Sequence, residues 1–314
     1  MQKVLLSLIL LFSLTVPTFC QDGAIFFNSD FEECEQAEAS YFRIVITQSQ
    51  EMLKVNDFYM SGEKYAVGYS RAFPLIWKYK NEGRFLKYFD GQGLKESSVY
   101  SNGLPIGIKQ VFFPGGKLYM KLKYLGVESE VPLVLEVYAV NGDSLVVEGN
   151  GFAVERETRD TLIISKGLYK DGIKEGEWIG EYQSGKTYFK DLYENGQLIE
   201  GKSFNDEGKE FNYTQIFVAP EFKGGENKMY RFLAEKVYYP RKAIKDNIQG
   251  SVVIKFQIET DGSISRTKVM KGAHETLDTE AMKVVEKMSD KFNVGYVRGQ
   301  PTRCLMTLPV LFVL

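Results

Sequence analysis

The chain has 314 residues but only one histidine, His274, and three cysteines. A single imidazole excludes His-rich metal sites and paired-histidine mechanisms, and it disfavours other imidazole chemistry. There is no zinc-type cysteine spacing, no Gly-rich phosphate loop and no serine nucleophile elbow. Carboxylates are plentiful, but nothing in the sequence converges them. The chain therefore reads as non-enzymatic, with no cofactor and no metal. Net charge is also lacking: 39 Lys+Arg stand against 41 Asp+Glu, so nothing suggests broad nucleic-acid binding. The 9 prolines are scattered, which excludes a stiff polyproline spacer.

Against these absences stand 29 glycines and an aromatic content of 14%, too much for a disordered chain. The N-terminus reads as an export signal. Lys3 precedes an apolar run at residues 4–16, Pro17 breaks it, and Thr18 and Cys20 suit a cut before Gln21. The run falls short of the ~20 residues that span a bilayer. An uncleaved anchor and a lipidated Cys20 are the rival readings; Phe19 speaks against the second. Removal of residues 1–20 leaves Cys34 and Cys304, compatible with either a disulfide or two separate thiols.

Charge divides the rest of the chain. Residues 21–215 carry 22 Lys+Arg and 30 Asp+Glu, and residues 216–314 carry 16 and 11. This asymmetry predicts two domains. The expected organisation is a signal at 1–20, an entry segment at 21–61, repeats at 62–215 and a C-terminal domain at 216–314. The repeat region is written in turn signals: Asn102-Gly103, Asn141-Gly142, Asp171-Gly172 and Asn195-Gly196. Tyr169-Lys-Asp-Gly172 recurs 24 residues on as Tyr193-Glu-Asn-Gly196, and Gly83 and Phe89 recur as Gly107 and Phe113. A fixed period of this kind predicts stacked β-hairpins sharing an aromatic face. Gly176, Trp178, Tyr182, Gly185 and Lys186, together with the Tyr-x-Asn-Gly at Tyr193–Gly196, make this region similar to MORN-type repeats of the bacterial YwqK-like variant. The resemblance covers about 62–208 and implies a scaffold or binding surface.

The C-terminal segment changes grammar. Met229, Phe232, Leu233 and Val237 have helical spacing over 226–237, and Pro240 opens a short helix at 241–247. Val252, Ile254, Phe256 and Ile258 alternate as in a half-buried strand. Asp261-Gly262 predicts a two-residue hairpin turn to a partner strand at 263–270. Leu277, Ala281, Val284, Val285 and Met288 predict an amphipathic helix capped by Thr276 or Asp278. Residues 302–314 form a last strand. His274, in a Gly-rich turn, reads as a solvated loop residue. The fold class is thus a mainly β region of stacked MORN-like hairpins followed by a small α+β domain of helix, β-hairpin, helix and strand.

This last segment resembles the C-terminal domain of the TonB family. The motif residues are Glu221-Phe222-x-Gly224-Gly225-Glu226, Tyr239-Pro240-x-x-Ala243 and Ile248-Gln249-Gly250. They continue in Asp261-Gly262-x-Ile264, Leu277-Asp278-x-Glu280-Ala281 and Leu308-Pro309-Val310-x-Phe312. Residues 39–43 and 57–62 also look like the entry segment of bacteroidete envelope proteins that join the two modules. Gly224, Gly225, Gly250, Asp261, Gly262, Leu277, Asp278 and Ala281 are the candidate structural residues. Where the family often has aromatic-x-Pro-Gly, this chain has Phe292-Asn293-Val294-Gly295. Lys236 stands where TonB proper has a Gln near its receptor contact. The resemblance implies a periplasmic or envelope protein whose domain binds a peptide of an outer-membrane transporter, or another envelope protein, by β-strand addition. The candidate edge is 303–313, because Pro309 suits an edge strand. The candidate partner-binding residues are Lys236, Tyr239, Pro240, Arg303, Leu305, Thr307 and Pro309, and Arg298 with Arg303 is expected to meet acidic groups of a partner. The alternative is a repeat scaffold with a generic docking module and no energy transduction. The oligomeric state stays open.

Overall fold

The structure is a computed structural model that describes residues 24–49, 52–71, 80–126, 131–158 and 162–314. The expected signal at 1–20 lies outside these residues. Contacts divide the chain into two compact units. One holds Met1–Ala153 with Tyr169–Ile173; the other holds Val154–Leu168 with Lys174–Leu314. The position 215/216, where charge changes sign, therefore falls inside the second unit.

In the first unit, strands from Ala24–Phe27 to Ser144–Val147 run antiparallel, each paired with its neighbours in sequence. The second unit repeats this pattern in Ile173–Tyr182, Thr187–Glu194, Gln197–Phe204 and Glu210–Tyr213. Two turn types join the strands. Asn102-Gly103, Asp171-Gly172 and Asn195-Gly196 have both residues at positive φ, the geometry of a type I′ turn. At Gly62, Gly142, Gly185 and Gly208 only the glycine has positive φ, and its N–H donates to the carbonyl three residues earlier. That is a type I turn closed by a glycine bulge. Asn141-Gly142 and Asp261-Gly262 belong to this second type, so the two-residue reading of Asp261-Gly262 is corrected: Asp261, like Asn141, does not adopt positive φ.

The period of 24 has a packing origin. Gly83, Gly107 and Gly176 sit inside strands at positive φ, each opposite a tyrosine: Tyr100, Tyr124 and Tyr193. Other glycines admit aromatic rings from the next strand. A Cβ would collide with the ring of Phe85 at Gly68, Trp178 at Gly167, Phe189 at Gly180 and Tyr213 at Gly201. Each ring lies flat where a side chain would stand, so one aromatic fills two positions and is buried. Trp178 also donates its indole N–H to the Leu168 carbonyl, at 3.1 Å.

The C-terminal part of the second unit contains helices α1 (Glu226–Lys236), α2 (Arg241–Lys245) and α3 (Glu275–Glu286). Its three-stranded sheet has the order Ile264–Lys271, Gly250–Ile258, Cys304–Phe312. Leu233, Ile254, Phe256, Leu277, Val284 and Phe312 belong to one buried core. At about 1.5–3 kcal/mol for each large apolar side chain, this burial, not intrinsic propensity, holds helices this short. The cap of α3 differs from expectation. His274 is its N-cap, and Nδ1 accepts from the Thr276 N–H at 3.3 Å, while Asp278 accepts from the Ala273 N–H at 2.9 Å. The lone histidine is therefore a half-buried helix cap, not a solvated loop residue.

Five short strands escape the sequence reading: Phe217–Val218, Glu221–Phe222, Phe292–Asn293, Gly295–Val297 and Gln300–Thr302. The last two form a hairpin closed by Arg298-Gly299, with φ of 49° and 74°, again a type I′ turn. The last long strand consequently begins at Cys304, not at residue 302.

Candidate functional site

Cys304–Phe312 pairs along its whole length with Gly250–Ile258, from Ile258↔Cys304 to Gly250↔Phe312. It ends the strand order of its sheet, so its other side is an open edge among the described residues. Cys304, Leu308, Val310 and Phe312 are buried, whereas Leu305, Thr307, Pro309 and Leu311 are exposed. Pro309 sits opposite Val253 in an unbroken register. A proline is tolerated there when its nitrogen faces away from the partner strand. Backbone direction alternates along an antiparallel strand, so the N–H and C=O groups of Leu305, Thr307 and Leu311 face the same open edge. The edge thus offers a ladder of donors and acceptors with one donor missing, at Pro309.

An apolar groove of about 640 Å³ runs beside the end of this strand. Tyr230 and Leu233 of α1, together with Val237 and Tyr239, wall one side; residues 309–313 form the other. The Tyr239 ring stands edge-on to Phe312 at 5.6 Å, and its hydroxyl donates to the Ile248 carbonyl at 2.7 Å. The tyrosine is fixed from both ends and gives the groove a rigid wall. Ser251 closes the groove on the neighbouring strand.

The proposed partner-binding residues divide by position. Tyr239 and Pro309 line the groove, and Leu305 and Thr307 lie on the open edge. Lys236 is exposed in the last turn of α1 but does not line the groove; its charge suits the carbonyl end of the helix. Pro240 is the N-cap of α2, with its carbonyl accepting from the Ile244 N–H at 3.0 Å. Arg303, just before the strand, reaches Glu259, just past the end of Gly250–Ile258, at 2.9 Å. Hydrogen bonds from Ser265 and Gln257, together with Arg303, hold the Glu259 carboxyl below the usual range.

The structure corrects the expectation for Arg298. Its side chain is 7% exposed and donates to the fully buried Asp191 at 3.3 Å. The guanidinium lies 3.6 Å from the ring centre of Phe189, and the Arg298 carbonyl accepts from Ser203 Oγ at 2.6 Å. Arg298 is thus committed within the second unit, not offered to a partner. Sequence reasoning missed this pairing because Asp191 and Arg298 lie far apart in sequence. It also missed Tyr230 and Leu311; the alternation through Leu305, Thr307 and Pro309 would have reached Leu311.

The motif residues are scaffolding around this edge. Gly224 and Gly225 have φ of 96° and 86° at the entry to α1. A Cβ on Gly250 would lie 2.7 Å from that of Ala273, and one on Gly262 would lie 2.9 Å from the Phe292 carbonyl oxygen. Asp261 accepts from the Ser263 N–H at 2.9 Å, and Leu277 and Ala281 are fully buried. Cys304 is buried as a thiol, and no disulfide joins it to Cys34. Among the described residues, no helix is long and apolar enough to cross a membrane.

Comparison with known proteins bears on this region. No curated protein and no solved structure matches the chain. Residues 235–314, which hold α2, α3 and the whole three-stranded sheet, match the family model described as Gram-negative bacterial TonB protein C-terminal.

Proposed function

We propose that this is a non-enzymatic protein of the cell envelope that docks to an outer-membrane transporter, or to a related envelope partner, by strand addition to Cys304–Phe312. The observation that carries the reading is the open edge beside an apolar groove, in a region that matches the TonB C-terminal family. Main-chain hydrogen bonds to Leu305, Thr307 and Leu311 supply affinity, and alternate side chains entering the groove supply selectivity. Export through the signal at 1–20 would deliver the chain to the compartment where such partners lie. The test is a titration of the isotope-labelled chain with synthetic N-terminal plug peptides of outer-membrane transporters. Strand-type shifts of the Leu305, Thr307 and Leu311 amides are expected. Their absence across a panel of such peptides would overturn the reading.

A second reading is a MORN-like repeat scaffold that uses the same domain for docking without energy transduction. The observation in its favour is that the last hairpins belong to the same compact unit as the docking edge. Crosslinking in envelope fractions separates the two. Recovery of a β-barrel transporter supports the first, and recovery of soluble envelope proteins alone supports the second.

A further inference from the structure

The edge that accepts a strand starts immediately after a hairpin that is anchored elsewhere. Gly295–Val297 pairs with Gln300–Thr302 and with Phe217–Val218. Its turn, Arg298-Gly299, inserts against the hairpins that carry Asp191 and Ser203. Arg298 reaches Asp191, its ring contact is Phe189, and its carbonyl accepts from Ser203. Gln300 Nε2 adds a bond to Ser203 Oγ at 2.8 Å. Tyr213 donates to the other oxygen of Asp191, so that carboxylate is held from two sides. A Cβ on Gly299 would lie 3.0 Å from the Asn212 carbonyl oxygen, so the turn seats at close approach. Only Arg303 separates Thr302 from the docking strand, and Arg303 is itself tied to Glu259.

Stability alone does not explain a buried ion pair here. Taking both charges out of water costs nearly what their attraction returns, and well-packed apolar groups would often serve as well. A forked guanidinium stacked on a ring and aimed at a carboxylate supplies defined placement instead. Placement matters for an open edge, because a strand that must first be ordered loses affinity to that ordering.

We propose that Arg298 is a positioning residue: seated among Asp191, Phe189 and Ser203, it fixes the start of Cys304–Phe312 and keeps the open edge ordered for its partner. This inference rests on the docking reading above, and its test is chosen to fail separately. Hydrogen exchange is measured on the full chain without ligand. Arg298→Ala is expected to speed exchange at 295–302 and also at Cys304 and Met306 by tenfold or more, leaving α3 unchanged. Asp191→Asn is expected to act alike, and the double variant to add nothing further. Arg298→Lys, which keeps the charge but loses the fork and the stacking, is expected to fall between. Faster exchange confined to 295–302, or additive effects in the double variant, would overturn the proposal. Should Arg298→Ala fail to fold, Asp191→Asn and Arg298→Lys carry the same test. In a second arm, each variant is titrated with the plug peptides, and affinity is expected to fall roughly tenfold. Unchanged affinity would overturn the proposal. If the unaltered chain binds none of the peptides, the docking reading falls while the exchange result still judges the anchor.

Discussion

The ring of Phe189 occupies the space above Gly180, its direct cross-strand partner, where any β-carbon would collide with it. One face of Phe189 thus packs on backbone, and the Arg298 guanidinium lies 3.6 Å from its ring centre. Gly180→Ala is expected to force the ring off its rotamer and cost about 1–3 kcal/mol. Chemical denaturation of the full chain measures this. An unchanged midpoint would show that the ring is free to shift.

Thr307→Pro tests the direction of the open edge. If Thr307 faces outward as Pro309 does, a proline there removes a second donor from the edge but none from the pairing with Lys255. The expected result is a plug-peptide affinity at least roughly tenfold weaker with the folded state retained. Leu308→Pro, on the opposite phase, is expected to unfold the sheet, at about 3 kcal/mol or more. Circular dichroism and peptide titration on both variants distinguish the two outcomes.

Tyr239→Phe removes the hydroxyl bond to the Ile248 carbonyl but keeps the ring against Phe312. A stability loss of about 0.5–1.5 kcal/mol is expected, with the groove wall preserved. Tyr239→Ala is expected to lose more and to weaken peptide binding as well. Thermal unfolding and titration read the two effects.

Acid sensitivity in the repeats is expected to pass through Glu96. Burial pushes its carboxyl up, but Lys109 at 3.1 Å, Lys87 at 3.6 Å and the Ser98 hydroxyl at 2.7 Å outweigh it, so the net shift is downward. A carboxyl depressed in the folded state contributes stability above its unfolded value, and that contribution disappears as pH falls through the folded value. Glu96→Gln is therefore expected to flatten the stability profile below the ordinary carboxyl range. An unaltered acid limb would assign the sensitivity to other groups.

Local chemistry made much of this legible in advance. The helices, the central hairpin and the last strand follow from apolar spacing, and the repeat period follows from turn glycines and strand aromatics. What escaped has physical reasons. Asn141 and Asp261 also precede a glycine at a turn, as Asn102 does, yet of the three only Asn102 adopts positive φ, because the turn type follows the loop length that the strand register sets, which the dipeptide alone does not reveal. Arg298-Gly299 resembles no usual turn pair, and the hairpin exists because distant residues hold its tip. His274 looked solvated because capping depends on where a helix begins, which residue spacing fixes only loosely. For the open edge, Pro309 was a usable clue, whereas the groove arises from α1 and the last strand meeting in space.

The sequential pairing of the repeat strands also shapes how the chain comes to be folded. Each hairpin closes a short loop, so its ordering cost is small and formation is fast. Several hairpins can nucleate independently and grow by adding the next strand. Cys304–Phe312 is different, because its partner Gly250–Ile258 lies far back in the chain and all of α3 intervenes. That pairing closes a much longer loop than any repeat hairpin does, so the open edge forms more slowly than the local hairpins.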